Sequence, residues 1–294
     1  MSGDNPLIGL GDFGPAAKRL IEKLSDGIGG ICRPGQIRRV ARAEADAAVI
    51  HAEADIEIKE MQQRAMKRMV IEQARDQANI EEVVRLALPH LKDDATPEKM
   101  DNDWIASFFD QCRIVSNEEM QTLWGRILAS EANEAGSFSK RTLRLVSDLD
   151  KQDAEMFTAL CRFIWGFKPS VLQPLILKVG ASIYGDNGVT FGSLTHLDDI
   201  GLITFDGLGG FTRKRFSGEV DASYWGQKFR FHFAEASGNE INIGNVLMTQ
   251  PGIQLARICG AQGIQGVPDY VFEYYQSHAP KMGIACVLPQ PDTA

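Results

Sequence analysis

From Gln36 to Leu88 the chain contains neither Pro nor Gly, and this run limits what the protein can fold into. With no breaker to interrupt it, Arg33 to about Arg85 reads as one helix of about 50 residues, roughly 75 Å at 1.5 Å per residue. No compact domain swallows such a rod. It must lay its apolar stripe on other helices or on copies of itself. The stripe runs through Ile37, Ala41, Ala45, Ala48, Ala52 and Ile56 and on to Met66, Met69 and Val70. Small alanines let helices approach closely, and the scarcity of Ile and Leu distinguishes the run from a leucine zipper. Met61, Met66 and Met69 form an adaptable packing surface, which an ordinary core would also explain.

The segment before the rod, residues 1–35, is amphipathic. Pro15 sits where a helix opens without cost. Leu20, Ile21, Leu24, Ile28 and Ile31 then recur at helical spacing, opposite Lys18, Arg19, Glu22 and Lys23. Such a helix either packs on the protein's own core or meets a membrane or neighbouring subunit. Charge favours the second reading. Residues 1–42 hold seven basic and four acidic side chains, a balance of +3, whereas residues 43–103 hold eight basic and fifteen acidic, a balance of −7. The cluster Arg33, Arg38, Arg39 and Arg42 suits an anionic lipid surface.

Residues 101–167 read as a helical bundle. Trp104, Ile105, Phe108, Phe109 and Cys112 share one face, Ser116 and Glu119 have capping-box spacing, and helices through Leu123–Leu128, Leu143–Leu149 and Phe157–Ile164 follow. The polar opening Ser139-Lys140-Arg141-Thr142 caps a helix. Arg141 and Arg144 there are candidates for an oligomer interface against acidic groups of a neighbour. At about residue 168 the texture changes: Gly becomes frequent, and Phe229-Arg230-Phe231-His232-Phe233 alternates as a half-buried strand does. Residues 168–294 thus read as a small α+β domain of winged-helix flavour. The whole chain is expected to be α+β and mainly α.

Particular residues now look familiar. The run Leu20 to Gly30, with Pro34 and Gln36-Ile37-Arg38-Arg39-Val40-Ala41, resembles a bacterial family known only as a domain of unknown function. So do Asp103-Trp104-Ile105, Glu119-Met120-Gln121 with Leu123-Trp124, Ile127-Leu128-Ala129 and Phe138 to Thr142. The N-terminal run also resembles the abortive-infection alpha family, whose setting is phage resistance. The chain departs from that pattern at Gly35, where a bulky residue such as Trp would be expected. The resemblance implies no catalytic residues.

No enzyme signature is present. The chain has five histidines, none at metal-site spacing such as HExxH. His196 beside Asp199 is the most suggestive and also fits an ordinary exposed helix position. There is no GxxxxGK[ST] loop and no GxSxG, and Gly207-Leu208-Gly209-Gly210 reads as a hairpin turn. A net charge of −8 argues against a general nucleic-acid footprint. The helix Leu194–Ile200 carries Asp198 and Asp199 where phosphates would lie, and Arg213, Lys214 and Arg215 alone are a thin basic patch. Cys32, Cys112, Cys161, Cys259 and Cys286 are odd in number and form no CxxC, as expected of reduced thiols in a cytoplasmic protein. No signal peptide and no spanning segment is visible. The expectation is a non-enzymatic, cofactor-free and metal-free protein that self-assembles through residues 36–88. It would engage an anionic membrane surface through 1–35, sense or recruit a protein partner through 168–294, and act in anti-phage defence. The alternatives are a soluble oligomeric scaffold without membrane contact, and an enzyme with an unrecognised C-terminal site.

Overall fold

A computed structural model describes residues 14–28, 60–167, 171–278 and 282–287; for Ile28 and for 282–287 the description is of backbone only. The chain is α+β and mainly helical, and it divides into two compact units, Met1–Asp148 and Leu149–Ala294.

Among the described residues, unit 1 is all helical. Its elements are α1 (Pro15–Ile28), α2 (Glu60–Ala87), two single 3₁₀ turns (Leu88–His90 and Pro97–Lys99), α3 (Asn102–Cys112), α4 (Glu118–Asn133) and α5 (Lys140–Ser147). Side chains satisfy the first free N–H groups of three helices, as helix starts require. Asp101 accepts from Trp104 N, Asn117 from Met120 N and Ser139 from Thr142 N. The cap of α4 is therefore Asn117, one residue past the expected Ser116. Asn79 claims the Ser116 hydroxyl instead, its Nδ2 donating to Ser116 Oγ at 3.2 Å. The core is aromatic. Phe108 stacks on Trp104 and meets Trp124 edge-on, with centroids 5.1 and 5.2 Å apart. Gly125 lets α4 lie against the backbone of α2: a Cβ there would stand 2.9 Å from Leu86 Cβ and 3.0 Å from Leu86 C.

Unit 2 opens with α6 (Lys151–Cys161), the helix expected to complete the bundle. It leaves unit 1 because it packs on α8 (Phe191–Asp199) of unit 2, so the boundary falls at Asp148 and not near residue 168. The order is β1 (Ile164–Phe167), β2 (Val171–Pro174), α7 (Ser182–Gly185), α8, β3 (Ile203–Phe205), β4 (Phe211–Phe216), β5 (Glu219–Tyr224), β6 (Gln227–Phe233), β7 (Asn239–Gly244), β8 (Val246–Met248), α9 (Gln250–Ala256), α10 (Val267–His278) and β9 (Met282–Val287). Five strands form one antiparallel sheet in the order β2-β1-β5-β6-β9. Phe229 and Phe231 alternate inward along β6, as period 2 requires. They meet Trp165 from β1 and Phe272 and Tyr275 from α10.

Two further ladders pair β3 with β8 and β4 with β7. Gly207–Gly210 is accordingly no hairpin turn: it links two strands that do not pair with each other. Asp206 organises it by accepting from Leu208 N and Gly209 N. β7 and β8 are separated by a break at Gly244, whose φ of +87° and contact with the Ile176 backbone leave no room for a Cβ.

Candidate functional site

The apolar face of α1 is occupied. Leu20 and Leu24 are fully buried and Ile21 nearly so, against the Pro97–Lys99 turn and α3. Polar contacts fix the helix there: Arg19 donates to Ala95 O at 2.9 Å and Lys23 to Asn102 Oδ1 at 2.7 Å. Of the two readings the spacing allows, Leu20, Ile21 and Leu24 take the one in which the helix packs on the protein's own core. The other expected surface residues, Ile31, Arg33, Arg38, Arg39 and Arg42, lie outside the described residues, as do Ala41, Ala45, Ala48, Ala52 and Ile56. Arg141 and Arg144 are exposed on α5. Among the described residues no helix is long and apolar enough to cross a membrane.

The most distinctive surface of unit 1 is the first half of α2. From Asp76 onward the helix packs on the bundle, burying Asp76, Asn79, Val83, Val84 and Ala87. Before Asp76 it buries nothing among the described residues. Met66, Gln73, Ile80 and Ala87 nevertheless share one heptad position, and Gln62, Met69, Asp76 and Val83 another. The face that packs on α4 thus continues about four turns beyond it, with Met66 and Met69 exposed by 40% and 55%. At the change-over, Asp76 takes an ion pair from Arg113 at 2.6 Å, and Asn79 donates to Arg113 O at 2.7 Å. This polar cluster ends the dry part of the interface.

In unit 2 the suggestive histidine has a different partner from the one its sequence neighbours offer. His196 Nε2 lies 2.5 Å from Asp153 Oδ1, so the carboxylate comes from 43 residues upstream and not from Asp199. Asp153 is buried, and its other oxygen accepts from Asp150 N in the capping box of α6. A carboxylate-held imidazole can act as a base, but among the described residues no nucleophilic side chain bonds to His196. The pair clamps α6 to α8. No group of three His, Cys, Asp or Glu side chains suited to a metal occurs among the described residues.

Two clefts flank the β5–β6 region. One, of about 650 Å³, is lined by Trp225, Gln227, Gln262, Gln265, Pro268 and Asp269, among others. Its wall is a two-residue turn: Tyr224 pairs with Gln227 across Trp225 and Gly226, whose φ values of +45° and +87° are those of a type I′ turn. A Trp at that φ costs about 1 kcal/mol, and it is retained half-exposed, packed on Gly263 and donating to Arg162 O. Sequence reading missed it because Tyr-Trp-Gly-Gln lacks the usual Asn-Gly turn signal. The second cleft holds Arg213, Lys214, Arg215 and Arg230. Part of its charge is spent internally: Lys214 pairs with Glu240 at 2.9 Å, and Arg230 with Asp221 at 2.8 Å and Glu219 at 3.5 Å.

Residues 63–270 match the family described as a protein of unknown function, DUF2806, and the chain belongs to it. No curated protein and no solved structure matches the chain.

Proposed function

We propose that this protein is a non-enzymatic scaffold that associates with itself through the free half of α2 and takes a protein partner at unit 2, without lipid contact through α1. The observation that carries this reading is the continuation of a packed helix face into solvent. Met66 and Met69 extend the face that Val83 and Ala87 bury, and exposed apolar stripes of this kind mark interaction sites. In unit 2, α8 running into β3 with β8 alongside supports a winged-helix-like core, here turned to protein binding. The half-exposed Trp225 in its cleft is an anchor of the type that dominates protein interfaces. The resemblance of residues 20–41 to the abortive-infection alpha family supports a role in anti-phage defence.

The test is the solution mass of the full chain over a range of concentration, with and without anionic liposomes. The wild type should form a concentration-dependent oligomer that stays in the supernatant, and Met66→Glu with Met69→Glu should be a monomer of unchanged helicity. A monomeric wild type, or a double variant with unchanged mass, would refute the reading.

A further inference from the structure

We infer that the occupant of the free α2 face is the same face of a second copy, lying antiparallel, with Met66 of each chain packed on Met69 of the other. This rests on the self-association proposed above and adds its geometry.

Three observations favour it. The first is steric. From Asp76 onward α4 covers the face in question. A parallel partner in register would carry its own α4 into the same space. An antiparallel partner meets only the uncovered turns, about 24 Å of helix, and leaves the two bundles at opposite ends. The second is the heptad pattern. In antiparallel pairs the two core positions of the heptad face each other across the axis. A two-fold axis between Lys67 and Arg68 sets Met66 against the partner's Met69, and Gln62 against the partner's Gln73. The core layers are then methionine on methionine, flanked by amides that bond to each other. The third is charge. The exposed half carries Glu60, Arg64, Lys67, Arg68, Glu72 and Arg75. Parallel pairing aligns the two helix dipoles, whereas antiparallel pairing opposes them favourably. The existing ion pairs Arg64–Glu60 and Arg68–Glu72 run along one helix and are highly exposed, so they yield at little cost. A contact this short belongs with weak, concentration-dependent associations.

Cysteine pairing in the full-length chain tests it. Met66→Cys and Met69→Cys proteins are oxidised separately and as a mixture, beside wild type as the control for native thiols. The mixture should give at least about tenfold more cross-linked dimer than either alone, because only the mixed pair brings two Cβ atoms within disulfide reach. Met66→Cys cross-linking to itself as readily would overturn the antiparallel register while leaving self-association standing. A chain that stays monomeric into the high-micromolar range would overturn both, and would mean that another part of the same chain covers the stripe.

Discussion

Gly125 is where the placement of α2 can be tested most directly. In an exposed helix Gly→Ala gains about 1 kcal/mol of helix propensity. At Gly125 the added Cβ would stand 2.9 Å from Leu86 Cβ, 3.0 Å from Leu86 C and 3.1 Å from Ala87 N. Two of those three atoms are main chain and cannot rotate away, so α2 and α4 must separate by several tenths of an ångström. That separation loosens the packing around Trp124, Val83 and Leu128, all buried. Overpacking of this kind costs about 1–3 kcal/mol beyond what propensity returns. The expected net loss is therefore about 1–3 kcal/mol, or roughly 2–12 °C in melting temperature for a unit of this size. Hydrogen exchange should report it locally, as faster exchange over 76–87 and 118–133. Gly192→Ala in α8 is the internal control, because its Cβ would meet nothing nearer than Thr190 Oγ1 at 3.9 Å and should be neutral or mildly stabilising. If Gly125→Ala melts at or above the wild-type temperature, α2 does not lie on α4 in solution. The distinction between its covered and free halves would then fall with it.

Two further outcomes follow from buried carboxylates. Burial raises the Glu131 carboxyl above its ordinary range, against the pull of backbone N–H groups of Gly136, Phe138 and Ser137. A carboxyl raised on folding contributes stability below its unfolded pKa, about 4.3, and loses that contribution as pH rises through the folded value. The urea stability of wild type relative to Glu131→Gln should therefore shrink from acidic to neutral pH; a gap that widens with pH would contradict the burial argument. Asp153→Ala removes the reciprocal half of the α6 capping box and the bond to His196, and should cost about 1–3 kcal/mol. The loss should be seen as faster exchange in the first turn of α6 and in α8, and a loss under about 0.5 kcal/mol would show that the pair is surface decoration.

Local signals in the sequence translated well where they act over a few residues. Pro15 opens a helix, Ser139 caps one, and the alternation of Phe229 and Phe231 gives β6 its buried face. What failed was everything set by distant partners. Periodicity identified the apolar face of α1 but could not say that α3 would cover it. His196 offered Asp199 in sequence, whereas folding supplied Asp153 from another helix. The break at Gly244 depends on the approach of Ile176, and the strained Trp225 turn on packing against Gly263. The free stripe of α2 was legible as methionines at helical spacing. Its significance emerged only once α4 was seen to stop at Asp76.

The last strand has a protective role. β9 pairs with β6 from Met282↔Phe233 to Val287↔Lys228, and so stands at the rim of the five-stranded sheet. Were it trimmed away, β6 would become the rim: a long row of unpaired N–H and C=O groups backed by Phe229 and Phe231. Such a border templates strands from other molecules. A truncation before residue 282 should then precipitate rather than merely melt sooner, and an affinity tag on this protein belongs beyond Val287.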